Sequence, residues 1–310
     1  MKRQGIDNRV KLRHLQCVLA VAQLGSMHKA AASLSLTQPA VSKTLAELET
    51  MLGVTLFERG RHGAVVTPEG ALFMPHANAC VSALRQGVDL LTRGDGSAAA
   101  LEIGILPSVA PALVPLVLKR FAARWPHAVV RVTTAANNAL LEQLKASVIE
   151  FAIGRIAEPE RMVGLNFEQL YCDSLVAVVR PGHPLLHHEG LPTALLAQFP
   201  LVLPPLGTLI RQSAQSLLGA WGEPPLQAVV EVLSVSLGRA LALENDAVWF
   251  VPASAVRYDL AYGALTRLPL PLVATDEPVG IVLRADSQPA PAGRAWLEIV
   301  REVGRELSGA

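Results

Sequence analysis

The stretch from Ser26 to Leu52, SMHKAAASLSLTQPAVSKTLAELETML, constrains the fold more than any other part of the chain. Lys29-Ala30-Ala31-Ala32 holds a helix and lets another backbone come close, and Ser26 is a good N-cap for it. The run Ser33-Leu34-Ser35-Leu36 breaks that helix. A second begins at once. Thr37 is placed to cap it through its side-chain oxygen, and Pro39 falls in the first turn, where a missing N–H costs little. Val41, Leu45, Leu48 and Leu52 then recur at spacings of four, three and four, so one face is apolar and packs on other helices.

The opposite face of the second helix carries Gln38, Ser42 and Lys43, with Thr37 and Pro39 at its start. An amide able to read adenine, a hydroxyl, a cation and the free amides of a helix N-terminus together suit a phosphate and base-edge surface. The longer stretch AAASLSLTQPAVSKTLAELETMLGVTLFER resembles the N-terminal winged helix-turn-helix of LysR-type transcriptional regulators. That family pairs a small-residue helix with S/T-Q-P-A-V/L-S and then L-G-x-x-L-F-x-R. The alternative for the bare pattern is an amphipathic helix pair in an all-helical domain.

Charge is divided in the same sense. Residues 1–93 hold eleven Lys or Arg against six Asp or Glu, and the remainder sixteen against twenty. A basic front on a mildly acidic body is the footprint of a nucleic-acid head on a domain with another task. Cys17, Cys80 and Cys172 lie far apart with no C-x-x-C spacing, which offers neither a metal site nor a disulfide framework and fits a reducing compartment. The start, MKRQGIDNRVKLRHLQ, lacks an apolar core of signal-peptide length, and no later run is apolar and unbroken enough to span a membrane. The cytoplasm is the expected location.

Ahead of the helix pair, Leu12 to Leu24 reads as an amphipathic helix ended by Gly25. After it, Leu56-Phe57-Glu58-Arg59 and Ala64-Val65-Val66-Thr67 flank Gly60-Arg61-His62-Gly63 as a hairpin wing. Arg59 and Arg61 there are expected to meet phosphate or the minor groove, against the plainer reading of solvated surface arginines. Thr67-Pro68-Glu69 starts a long helix to about Leu91, with a kink expected at Pro75. By the resemblance it is the linker through which two heads dimerise.

Gly94-Asp95-Gly96-Ser97 marks a flexible break, beyond which short apolar runs alternate with helices. LEIGI, AVVRV, FAIG, SLVAVV, PLVL, VVEVL, AVWFV and VGIVL read as strands, and the alternation predicts parallel sheets of βαβ units. These segments resemble the family's effector-binding domain, α/β with two lobes of the periplasmic-binding-protein type. The expected organisation is a winged helix-turn-helix over 1–67, a linker helix over 68–93, a hinge at 94–97 and an effector domain over 98–310. Lobe one would take 98–168 and 272–310, and lobe two 169–271. Where the family often has Gly followed three residues later by Asp, this chain has Ser147 and Glu150.

Ligands of open α/β sheets bind outside the carboxyl ends of strands, near helix N-termini. That rule selects Pro107-Ser108, Asn137-Asn138, Pro204 to Thr208, and Ser234 to Ser236. The expected effector contacts are Ser108, Asn137, Arg155, Thr208, Arg211 and Ser236. The resemblance places effector-binding hydroxyls at Ser108 and Thr208; Asn138 and Ser234 read better as helix caps. Arg211 lies in the first turn of its helix, where a cation opposes the dipole, so either a ligand carboxylate or an acid elsewhere in the chain must compensate it.

Finer motifs, among them LLEQL, Gly154-Arg155, GHPL, Ile210-Arg211 and S-x-S-x-G-R-A at 234–240, resemble the LysR subgroup that includes the regulator of the pca operon of protocatechuate catabolism. That resemblance implies a small aromatic or ring-cleavage carboxylate as effector. It also implies a homodimer, assembled further to a tetramer, on an interrupted inverted repeat of double-stranded DNA, with effector-dependent contact to RNA polymerase. No cofactor, metal or catalytic residue is expected. No G-x-S-x-G, H-E-x-x-H, P-loop or G-x-G-x-x-G pattern occurs, and His183 and His187-His188 sit in a polar loop without evident partners. Two alternatives stay open: an effector that is not a carboxylate, and a solute-binding module whose helical head does not act on DNA.

Overall fold

A computed structural model describes residues 9–60, 63–92, 100–188, 193–220, 229–270, 276–285 and 287–308. The chain divides into two compact units, taken here in turn.

In the first unit, α1 (Leu12–Leu24) ends at Gly25, whose φ of 62° is a left-handed turn suited to glycine. The Ser26 hydroxyl accepts the Lys29 amide and starts α2 (Met27–Ser33). Next comes α3 (Gln38–Leu52). Thr37 takes the extended N-cap conformation, but its hydroxyl makes no capping bond, so the side-chain cap expected from the sequence is not formed. Val41, Leu45 and Leu48 are buried against Cys17, Val18, Val21, Ala30 and Ala31, as the apolar spacing requires.

The wing is antiparallel, β1 (Phe57–Gly60) on β2 (Gly63–Val66). Three bonds tie it to the helices. Glu49 accepts the amides of Leu56 and Phe57 at 2.7 and 3.2 Å. The Ala64 amide donates to the Gly25 carbonyl at 3.0 Å. A Cβ at Gly63 would stand 2.3 Å from that same oxygen, so only glycine allows the approach. Thr67 donates to the Thr55 carbonyl and accepts from the Gly70 amide, capping α4 (Pro68–Thr92). That helix continues through Pro75. The expected hinge at 94–97 lies outside the described residues.

The second unit builds two five-stranded sheets. The first runs through β3 (Ala100–Ile105), α5 (Ala110–Arg124), β4 (Val129–Thr134), α6 (Asn137–Lys145), β5 (Phe151–Gly154), a short α7 (Pro159–Met162) and β6 (Leu165–Asp173). The chain then crosses to β7 (Leu175–Val179), β8 (Leu201–Leu203), α8 (Leu209–Ala220), β9 (Val229–Glu231), α9 (Val235–Glu244), β10 (Val248–Pro252), α10 (Arg257–Ala261) and β11 (Thr266–Arg267). It returns to the first sheet with β12 (Glu277–Arg284) and closes on α11 (Pro291–Ser308). Each sheet has its own core. Phe121 and Trp296 meet edge to face in the first, with ring centroids 4.9 Å apart, and Phe250 is fully buried in the second.

Two features depart from the sequence reading. The sheets are mixed, not parallel: β3 runs parallel to β4 and β5, and β8 to β9 and β10, whereas β12 is antiparallel to β5 and β6, and β7 to β10 and β11. The antiparallel strands flank the two crossings, where chain arriving from the other sheet enters in the opposite sense. Second, the boundary expected between 168 and 169 falls inside β6. That strand pairs with β12 along its length, from Arg284 opposite Leu165 to Glu277 opposite Asp173, which keeps all of it in the first lobe. The crossing lies at Ser174.

Candidate DNA-binding surface and ligand cleft

On the head, packing of Val41, Leu45 and Leu48 leaves the other side of α3 to solvent. Thr37, Gln38, Pro39 and Lys43 are exposed and Ser42 is half-buried. Those five residues thus share the outer face and the N-terminus of one helix, where the first-turn amides have no partner within the helix. Arg59 lies on β1, its side chain outside what is described, and Arg61 is outside the described residues.

In the second unit a cleft of about 470 Å³ opens between the lobes. Its walls are the loops after β3, before α6, after β5, before α8 and after β9, together with Trp249 to Pro252 of β10. Apolar side chains dominate: Leu106, Ile156, Leu206, Ile210, Val232, Leu233, Trp249 and Phe250. The first residues of α6, α8 and α9 line it, which brings three helix N-termini to one space.

Of the six expected effector contacts, Ser108, Asn137, Arg155 and Thr208 line this cleft. Their bonds differ. The Ser108 carbonyl accepts the Ser254 hydroxyl at 3.0 Å. The Asn137 amide clamps the backbone of Arg155, with Nδ2 donating to its carbonyl and Oδ1 accepting its N–H, each at 3.0 Å. The Thr208 hydroxyl donates to the Pro205 carbonyl and accepts the Arg211 amide, so it caps α8. Ser234 likewise caps α9 by accepting the Leu237 amide at 3.3 Å.

Arg211 and Ser236 are not among the described residues lining the cleft. The acid that compensates Arg211 comes from within the chain. Its Nη1 lies 2.9 Å from Glu231 Oε1 on β9 and also donates to the Pro204 carbonyl at 3.0 Å. Ser236 is exposed, with its hydroxyl 3.0 Å from that of Ser234.

Among the described lining residues Arg155 is the cation, and it too has acids behind it. It is only 6 % exposed; its Nε lies 3.0 Å from Glu277 Oε2 and its Nη2 3.6 Å from Asp173 Oδ2. Burial pushes both carboxyls above their ordinary range, and Arg155 pulls each back down. Asp173 accepts the Ser254 amide at 3.1 Å and, 2.5 Å away, competes with the Ser108 carbonyl for the single proton of the Ser254 hydroxyl, and Ser213 of α8 donates to Glu277 at 2.8 Å. Neither acid stands out in the sequence, where no spacing links residues 155, 173 and 277. Trp249 also escapes a sequence reading, hidden in a strand that reads as plain core.

Among the described residues no group of His, Cys, Asp or Glu could hold a metal ion, and no helix is long and apolar enough to cross a membrane. A winged head with a polar recognition helix, coupled to a two-lobed domain with a ligand-sized cleft, defines a ligand-responsive DNA-binding regulator. Residues 12–71 match the bacterial regulatory helix-turn-helix protein, lysR family, and residues 94–305 the LysR substrate binding domain. The chain belongs to the LysR family of transcriptional regulators, and it is a DNA-binding protein that responds to effectors, not an enzyme.

It is 41 % identical over 282 residues to the uncharacterized HTH-type transcriptional regulator YdcI of Escherichia coli (strain K12), covering 91 % of this chain and 92 % of that one. It is 37 % identical over 303 residues to the HTH-type transcriptional regulator PcaQ of Agrobacterium fabrum, covering 97 % of both, which supports the resemblance to the pca-operon regulator. A point variant of full-length OxyR from Pseudomonas aeruginosa shares the fold, with a TM-score of 0.66 and 23 % identity over 95 % of this chain and 97 % of that one.

Proposed function

We propose that the effector is a small aromatic or ring-cleavage carboxylate held in the interlobe cleft, and that the protein controls a catabolic operon in response to it. The observation that carries this reading is the composition of the cleft: apolar walls that suit a flat ring, met by the N-terminal ends of three helices that suit a carboxylate. Similarity to PcaQ along nearly the whole chain supports it. Ser108 and Thr208 contact the ligand, Arg155 sits beside its charge, and Asn137 holds the Arg155 backbone in place. Arg211 acts at one remove, by fixing the loop that carries Thr208.

On DNA, Thr37, Gln38, Pro39, Ser42 and Lys43 enter the major groove while Arg59 and Arg61 reach phosphate from the wing. Residues 68–93 pair two heads across a two-fold axis, so the operator is an interrupted inverted repeat, and pairing of effector domains gives a tetramer. Effector binding shifts the population of head arrangements, and with it DNA bending and contact with RNA polymerase in the cytoplasm. This requires different effector affinities in the two states.

A thermal-shift screen of aromatic and dicarboxylic acids, beginning with protocatechuate, tests the effector class. A ligand at a hundred times its Kd adds about 2.7 kcal/mol of stability. The shift should appear in wild type and shrink in Ser108→Ala and Thr208→Val. If no carboxylate shifts the melting temperature, the effector class is wrong and the DNA-binding function stands. A second reading, a neutral effector, is favoured by one observation: Arg155 already faces two acids.

A further inference from the structure

The buried ionic cluster beneath the cleft holds one cation against two acids. Asp173 is the last residue of β6 and Glu277 the first of β12, and the two are direct cross-strand partners at the crossings between lobes. Like charges placed directly opposite on a sheet repel, and burial removes the water that would screen them. Arg155 reaches both acids, and their side chains are only 3 % and 12 % exposed. The same arginine lines the cleft. From the second lobe, Ser254 donates to Asp173 and Ser213 to Glu277. Asp276, next to Glu277, also raises Asp173, and Asp173 in turn raises Tyr171 on its own strand.

We propose that Asp173 and Glu277 form one site for a shared proton, only partly filled at neutral pH in the ligand-free protein, and that Arg155 couples this site to the cleft, so that binding an anion beside Arg155 is accompanied by proton uptake at the acid pair. The coupling rests on the carboxylate reading above; the shared proton does not. An arriving anion draws on the positive charge of Arg155 and leaves the two acids less compensated, which raises their combined affinity for a proton. A protonated carboxyl changes from acceptor to donor. Ser254 donates to both oxygens of Asp173, so a proton there forces at least one of those bonds to rearrange, and they join the second lobe to the first crossing. Ligand occupancy thus reaches the lobe junction through a change of charge.

The sign for the ligand-free protein follows from linkage. An acid whose pKa is higher folded than unfolded binds more protons in the folded state, so its contribution to stability is present at low pH and lost as pH rises through the folded value. Glu277→Gln removes one titrating member while keeping its shape and an acceptor oxygen for Ser213, and Asp173→Asn does the same for the other. In full-length protein without ligand, each variant should melt progressively higher relative to wild type as pH rises from the ordinary carboxylate range through the raised range of the pair. A difference independent of pH in both variants overturns the shared proton.

The coupling is tested separately by titration calorimetry of wild type with protocatechuate at neutral pH in two buffers of different ionisation enthalpy. Unequal heats reporting proton uptake, abolished in Glu277→Gln, support it. For one whole proton, affinity falls about tenfold per pH unit above the pair's pKa. Equal heats in wild type overturn the coupling. If protocatechuate and the other carboxylates do not bind at all, the effector reading and the coupling both fail, while the ligand-free melting curves still decide the shared proton.

Discussion

Arg211 and Glu231 form an ion pair, 2.9 Å from Nη1 to Oε1, that clamps the loop before α8 from two sides. The same arginine nitrogen donates to the Pro204 carbonyl at 3.0 Å, and the second Glu231 oxygen accepts the Leu206 amide at 3.4 Å. The arginine is buried and the acid is 38 % exposed on its side chain. The pair therefore positions a wall of the cleft, and the dipole conflict at the start of α8 is met inside the protein. Arg211→Ala should lower stability by about 1–2 kcal/mol, toward the low end because Glu231 stays hydrated. Arg211→Ala and Glu231→Ala should weaken effector binding by similar factors, with the double variant no worse than either single one. A double-mutant cycle on the ligand-induced melting shift checks this; loss of binding in Arg211→Ala alone would mean direct contact with the ligand.

Gly238 on α9 packs against the indole of Trp249, where an added Cβ would stand 2.5 Å from Cε2. The ring is 3 % exposed and forms part of the cleft wall. Alanine at this position is an overpacking substitution in a site with no room to give, so Gly238→Ala should destabilise the domain by about 1–3 kcal/mol. It should also shift the Trp249 emission and reduce effector affinity, because the ring must move within the wall. Thermal melts and fluorescence of wild type and variant report both effects.

The head is the more legible half, because its signals are local: a cap, a first-turn proline, an apolar spacing and a terminal glycine each act within a turn or two. Even there Thr37 takes the cap conformation without the side-chain bond, since backbone geometry and hydroxyl rotation are separate choices. In the second unit, strands buried on both faces, such as FAIG and AVWFV, are visible as apolar runs. β6 is not, because LNFEQLYCD loses its alternation at Glu168 to Leu170, where its register with β12 shifts. Strand direction escapes the sequence for a related reason: it depends on where the chain crosses between sheets, and the crossing at Ser174 carries no composition signal. The rule that ligands sit beyond strand ends does find the loops, and four of the six expected contacts line the cleft. Arg211 is the exception with a clear cause, since Glu231 lies on a different strand, a partner only the sheet brings near.

The recognition face yields the last prediction. Gln38 and Lys43 are both exposed, and neither belongs to the head's core, so their substitution should leave the melting temperature of the DNA-free protein unchanged. Their effects on DNA should differ in kind. A lysine on phosphate contributes through counterion release, so Lys43→Ala should weaken binding alike on operator and unrelated duplex and reduce the slope of log K against log salt by about 0.9 per head. An amide reading a base edge contributes only where the base fits, so Gln38→Ala should weaken operator binding by about 1–3 kcal/mol and unrelated duplex hardly at all. Fluorescence anisotropy on both duplexes over a range of salt separates the two. Equal losses on operator and unrelated DNA in Gln38→Ala would move that residue from base reading to backbone contact, and would leave the hydroxyls of Thr37 and Ser42 as the neutral groups on this face with the chemistry to read a base.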